Sequence, residues 1–260
     1  MSRKFIIMTM IIMMMINVVV NDKKLYNFNN FPWQISLQYY DRLTKQLYHI
    51  CDGAIVSHIN VIVPAYCVDL TLSKNRSKIN IDDFKIKVIG FYNQSDVIDP
   101  IYSISEINLN PRWNPETFCY NAATISIKNE EFNFNCPDNN NRRPLVQMIY
   151  TNLTDKISIE SLYNHHAELA TWNWQNYQYE VRNVRILSND DCQQSLKSNE
   201  YRSFDNETEI CTYSWLDSCY FSNGALLQYF HDDGKAYLLG IASWITTDLS
   251  NNIIIFTKVT

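Results

Sequence analysis

After residue 30 the chain reads as a succession of short β-type segments, and their spacing constrains the fold more than any other feature. Residues 33–39, 47–56, 61–65, 84–92, 122–127, 167–172, 179–186, 225–230, 236–244 and 253–259 are rich in Ile, Val, Tyr and Trp, with Asn, Asp, Ser or Pro clusters between them. Many short strands at this spacing predict an all-β sandwich or barrel. Helical pattern is confined to 190–197, where Ser188, Asn189 or Asp190 can act as N-cap. The Asn- and Pro-rich stretch 133–144 has almost no apolar periodicity. It marks a linker between two halves, about 21–135 and about 145–260.

A β fold with many tight turns ordinarily uses glycine, yet the chain has 5, where average usage of about 7% would give roughly 18. It has 30 Asn and 30 Ile instead. With 46% hydrophobic and 19% charged residues, the 260-residue chain can bury one or two cores and is not a disordered sequence. The net charge is −5, and no basic cluster is larger than a pair such as Arg142–Arg143. Nothing here would neutralise phosphates, which excludes nucleic acid as a partner.

Arg3 and Lys4 precede an apolar run from Phe5 to Val20, broken by Thr9 and Asn17. This is the layout of a secretory signal peptide over residues 1–20, and the run is shorter than the roughly 20 residues of a membrane span. The expectation is a secreted, extracellular protein with no membrane attachment after cleavage. Secretion makes disulfides available to the 7 cysteines, which contain no CxxC pair of the kind that binds zinc. Because seven is odd, at least one thiol stays free or pairs between chains. Asn75, Asn93, Asn152 and Asn206 each stand in a glycosylation sequon, with two or three expected to be used.

Five motifs follow in order. Phe31-Pro-Trp-Gln-Ile-Ser-Leu-Gln leads to His49-Ile-Cys-Asp-Gly-Ala-Ile-Val and Val63-Pro-Ala-Tyr-Cys; then come Asn121-Ala-Ala-Thr-Ile-Ser-Ile-Lys, Cys192 and Cys211, Asp217-Ser-Cys-Tyr-Phe-Ser-Asn-Gly-Ala-Leu-Leu, and Gly240-Ile-Ala-Ser-Trp with Phe256-Thr-Lys-Val. Together they resemble the trypsin-like serine proteases across nearly the whole chain after residue 20. The resemblance implies two six-stranded antiparallel β-barrels with a cleft between them, and disulfides Cys51–Cys67 and Cys192–Cys211. It leaves the pairing of Cys119, Cys136 and Cys219 open. Members of this family usually continue into a C-terminal helix; this sequence ends at Thr260 just after Thr257-Lys-Val, which reads either as loss of that helix or as an incomplete sequence.

The family cuts peptides with a serine activated by a histidine that an aspartate orients, while backbone N–H groups hold the oxyanion. Each of those positions is changed here. Tyr66 stands at the histidine position, and a phenol that keeps its proton at neutral pH accepts a serine proton poorly. Asn121 aligns with the aspartate, and a shift by one residue would give Ala122; neither is a carboxylate. Asn223 replaces the nucleophile, and an amide cannot attack as an alkoxide does. Ser222 is adjacent, but no base is evident beside it in the sequence. Ser222 also occupies the position of the carboxylate that pairs with the amino terminus released on activation, and Val20-Asn-Asp-Lys lacks an activation site. Phe221 fills a glycine position that contributes an oxyanion donor.

Asp217 matches the acidic pocket floor of enzymes that cleave after Lys or Arg, while Ile245 and Ile254 replace the glycines of the pocket walls and block the slot. His49 reads as a packed structural histidine, His165–His166 as loop residues and Trp172 and Trp174 as packing, with no metal and no cofactor implied. The apolar strand pattern and two disulfide pairs persist although every catalytic position has changed, which is the pattern of a folded protein that is not an enzyme. It is similar to the inactivated serine protease paralogues of the scabies mite, relatives of the group 3 mite allergens. That resemblance implies a binding protein that engages host proteins, complement components among them. A decoy that captures substrates or inhibitors in the remnant cleft is the alternative, and a residual hydrolase the third reading.

Overall fold

The structure, a computed structural model, describes residues 31–72, 80–89, 101–128, 131–132, 149–151, 157–173, 178–196, 204–214, 222–232, 234–245 and 253–259. Strands β1 (Gln34–Asp41), β2 (Gln46–Ile55), β3 (Asn60–Val63), β4 (Phe84–Val88), β5 (Ile101–Leu109) and β6 (Ala123–Ile127) form one closed barrel in the order β1-β2-β3-β6-β5-β4. Strands β7 (His166–Asn173), β8 (Gln178–Ile186), β9 (Glu209–Tyr213), β10 (Leu226–Phe230), β11 (Ala236–Ile245) and β12 (Ile253–Lys258) form the second, ordered β10-β11-β12-β9-β8-β7. Read from β7, this is the path of the first barrel repeated, and every pairing is antiparallel. Closure leaves no long open edge on either sheet.

The period-two pattern explains the inward faces. In β6, Ala123, Ile125 and Ile127 are buried while Thr124 and Ser126 are half-exposed. Ile35, Leu37, Ile55, Ile86 and Ile125 fill the first barrel. Leu169, Val184, Ile186, Leu227 and Phe256 fill the second. The β-branched residues that dominate the composition thus serve as barrel filling. Ten of the twelve strands overlap the segments expected from sequence. The expected 84–92 ends at Val88, with 90–92 outside the described residues, and β5 and β9 were not anticipated.

One α-helix, α1 (Asn189–Leu196), is described, and Ser188 caps it: its Oγ accepts from the Asp191 N–H at 3.1 Å and donates to the Asp191 carboxylate at 2.7 Å. Ser188 is therefore the cap among the three candidates. The disulfide Cys192–Cys211 ties this helix to β9, and Cys51–Cys67 ties β2 to the turn after β3. The barrels are joined by main-chain bonds from Ile149 N–H to the Ile55 carbonyl and from Tyr150 N–H to the Ala236 carbonyl, and by Trp33 Nε1–H donating to Gln228 at 2.9 Å. Among the described residues, no helix is long and apolar enough to cross a membrane. The expected signal peptide, the linker 133–144, Asn75, Asn93, Asn152, Trp174, Cys136, Asp217, Cys219 and Phe221 lie outside the described residues. His166 is a correction to the sequence reading: it opens β7 rather than sitting in a loop, because its main chain pairs with Arg185 on β8.

Candidate active site

Tyr66 and Asn223 line one groove, and Asn121 is buried in contact with Tyr66. Tyr66 follows β3 on a single 3-10 turn held by Cys67 N–H to the Pro64 carbonyl and by the Cys51–Cys67 disulfide. Tyr66 is 47% exposed and its ring centroid lies 5.5 Å from that of Phe118 in the neighbouring loop. Asn121 stands just before β6 and is buried. Its Oδ1 accepts the Tyr66 backbone N–H at 2.9 Å, and its Nδ2 donates to Ser243 Oγ at 3.0 Å. Asn121 rather than Ala122 makes this contact with Tyr66. The carboxamide fits because it supplies one acceptor and one donor to a buried position that needs both, so no charge has to be desolvated.

Asn223 is exposed on the turn before β10, and its carbonyl accepts the Asp52 N–H at 2.8 Å. Gly224 follows with φ +82°, and a Cβ on it would collide with the Asp52 carbonyl oxygen and come within 2.9 Å of Pro64. This is one of the five glycines the chain has kept, at a place where the backbone requires it. Asn223 and Tyr66 line an open, largely apolar groove of about 430 Å³ together with Tyr39, Ile50, Leu70 and Phe84. What the groove presents to a ligand here is an amide, two phenols, the largely buried Asp69 and apolar surface.

A base does sit beside Ser222, against the expectation from sequence. His49 Nε2 lies 2.8 Å from Ser222 Oγ, and His49 Nδ1 lies 2.6 Å from Ser36 Oγ. The two residues are 173 positions apart, so nothing local signals the contact. Its geometry is that of a nucleophile and base, but Ser222 is fully buried and faces away from the groove, into the interior beneath Asn223. His49 is packed, as expected, with its ring 5.5 Å from Trp172.

The same interior holds a residue that the sequence reading passed over. Asp52, on β2, is completely buried. Its Oδ1 accepts from the Tyr179 hydroxyl at 2.9 Å, and its Oδ2 from the Trp172 N–H at 3.0 Å and the Thr171 hydroxyl at 3.2 Å. Thr171 Oγ1 in turn accepts the Ser222 N–H at 3.0 Å. Burial pushes the Asp52 carboxyl up to about 7, against the opposing pull of these hydrogen bonds. Burial likewise pushes the His49 imidazole down to about 4. Tyr179 is held well above its ordinary value, first by burial and then by the Asp52 charge.

Ile254 is buried in the second core and pairs in register with Ile245 on β11. Asn206 is exposed in the turn before β9. Cys119 lies partly buried in the loop before Asn121. Among the described residues no group of His, Cys, Asp or Glu is arranged to hold a metal ion.

The sequence that forms these two barrels of one topology is matched by a family model, described as Trypsin, over residues 20–260. The chain belongs to the trypsin family. This trypsin-family chain is 25% identical over 232 residues to "Serine proteinase stubble" of Drosophila melanogaster, a match covering 84% of this chain and 26% of that protein. It is 32% identical over 103 residues to "Chymotrypsin-like elastase family member 1" of Bos taurus, covering 38% of this chain and 34% of that protein. With the Canis lupus familiaris protein of the same name it shares 34% identity over 88 residues, 33% of this chain and 29% of that protein. The matched stretches thus span about a quarter to a third of the length of these relatives.

Proposed function

We propose that this trypsin-family chain is a secreted, catalytically inactive homologue that acts by binding other proteins. The observation that carries the reading is where the groups lie: the groove presents Asn223 and Tyr66, while the serine–histidine contact, Ser222 with His49, is buried behind them. Peptide hydrolysis needs a nucleophile, a base and the reacting carbonyl within hydrogen-bond reach of one another. Among the described lining residues a carbonyl resting on Asn223 meets no nucleophile, and the one carboxylate there, Asp69, already accepts from Thr71 and from Trp113 Nε1–H. Asn121 supports the same reading, because it keeps the buried position satisfied without the carboxylate that would orient and stabilise an imidazolium. Asp217, Ile245 and Ile254 would close the pocket that receives a substrate side chain, and Phe221 would remove the glycine of the oxyanion donor.

The partners are host proteins met outside the cell, and complement components are the first to screen because of the resemblance in sequence. A second reading is favoured by the apolar groove beside Asn223, which has the size to hold an extended peptide or an inhibitor loop without cutting it. The test is a panel of peptide esters and amides run beside a binding screen against blood proteins. No turnover with capture of a defined protein supports the proposal. Turnover that co-purifies with the chain overturns it. Competition by groove-directed peptides would move the decoy reading ahead of binding through the outer surface.

A further inference from the structure

Beneath the Asn223 loop lie two ionisable side chains that the groove does not use. Asp52 is fully buried and the His49 side chain is 8% exposed; Nε2 of His49 is 3.8 Å from Oδ1 of Asp52. The Ser222 hydroxyl lies 2.8 Å from that same nitrogen. The described elements around the pair contribute Ser36 from β1, Thr171 and Trp172 from β7, Tyr179 from β8, and Ser222 from the loop. The next charged side chains on β8, Glu180 and Arg182, bond to each other. Among the described residues, His49 is the one basic group within 4 Å of Asp52.

Such a cluster tolerates one proton shared between carboxyl and imidazole. Carboxylic acid with neutral imidazole, or carboxylate with imidazolium, is net neutral either way. A second proton leaves a buried positive charge and the loss of the first a buried negative one, and both are costly in an apolar interior. The cluster also carries mechanical load. The Asp52 N–H holds the Asn223 carbonyl, its carboxyl holds β7 and β8, and Thr171 passes that hold to the Ser222 N–H.

We infer that Asp52 and His49 form a one-proton latch that fastens the Asn223 loop to both barrels and keeps the same strength across acidic pH. When the latch opens, water reaches both groups: the carboxyl releases its proton and the imidazole gains one, so opening changes the total proton count little between pH ~4.5 and ~6.5. Either residue alone would make the loop pH-sensitive. With Asp52 alone the closed state binds the extra proton, so closure weakens as pH rises from about 4 towards 7. With His49 alone the open state binds the extra proton, so closure weakens as pH falls from about 6.5 towards 4. The two slopes oppose and cancel. The inference does not depend on what the protein binds.

The test is hydrogen exchange of the Asp52 and Ser222 amides, corrected for the intrinsic rate, in the full secreted chain and in Asp52→Asn and His49→Gln, between pH 4.5 and 6.5. Protection in the wild type should stay within about twofold. It should fall with rising pH in His49→Gln and with falling pH in Asp52→Asn, each by up to about tenfold per pH unit. A purely structural role would lower protection in both variants without giving opposite slopes, and parallel slopes would overturn the latch. Should either variant fail to fold, carbon and nitrogen NMR titration of Asp52 and His49 in the wild type decides. Flat signals over that range support the latch, and an Asp52 inflection near 4 with a His49 inflection near 6.5 overturns it.

Discussion

Replacing Gly224 and Gly234 separately by alanine tests the account of the loop that carries Asn223. The two glycines share the same backbone conformation, φ +82° and +79°, and differ in surroundings. An alanine in the left-handed region costs about 1 kcal/mol once its smaller unfolded-state entropy is counted. At Gly234 that is the whole effect, because a Cβ there meets nothing within 4 Å. At Gly224 the new methyl falls onto the Asp52 carbonyl oxygen and within 2.9 Å of Pro64 Cδ. Neither neighbour can withdraw freely, since Asp52 N–H is bound to Asn223 and Gly224 N–H to the Ala242 carbonyl at 3.2 Å. Relief requires the loop to lift from β2, losing about two buried hydrogen bonds at roughly 1 kcal/mol each, with an overpacking cost of about 1–3 kcal/mol. The expected totals are about 1 kcal/mol for Gly234→Ala and about 4–6 kcal/mol for Gly224→Ala. Thermal unfolding of the disulfide-intact protein should show Tm lowered by roughly 2–4 °C in the first and by more than about 10 °C in the second, or no folded Gly224→Ala at all. Equal shifts of a few degrees would refute the close approach of the loop to β2.

Three further outcomes follow from the site. Asn223→Ser alone should give no amide or ester turnover, because Asn121 bonds the Tyr66 backbone N–H rather than its side chain and so orients no base towards position 223; measurable kcat above the wild type would contradict this. Replacing Cys51 and Cys67 by serine removes a bridge with a sequence separation of 16 and should cost about 3 kcal/mol, read as a drop in denaturation midpoint. On the proposal that Ile245 and Ile254 close the pocket above Asp217, benzamidine should not bind at millimolar concentration in calorimetry, and a measurable binding heat would show an open pocket.

The barrels were legible wherever buried and exposed positions alternate without interruption. β5 escaped notice because only Tyr102 and Ile104 of its nine residues are buried, and a register shift between Ile104 and Glu106 breaks the period. β9 escaped because it opens on Glu209, a buried carboxylate that accepts from Asp205 N–H at 3.0 Å and reads in sequence as surface. The positions facing the groove came from linear motifs and were within reach. The interior behind them was not: Asp52 falls within the expected segment 47–56, but the partners that give it a role lie 119 to 127 positions away. A long-range polar cluster leaves no periodic trace, and its cue, a charged residue interrupting an apolar strand, gains meaning only once the barrels are assembled.

The most direct measurement is intact-mass titration of the purified protein with a fluorophosphonate probe, alongside trypsin treated identically. The account predicts no adduct on this chain when trypsin is fully modified, because Asn223 is an amide and Ser222 is sealed behind it with His49. A stoichiometric adduct would contradict the account, and peptide mapping of that adduct to Ser222 would show that the buried serine–histidine pair reaches the groove.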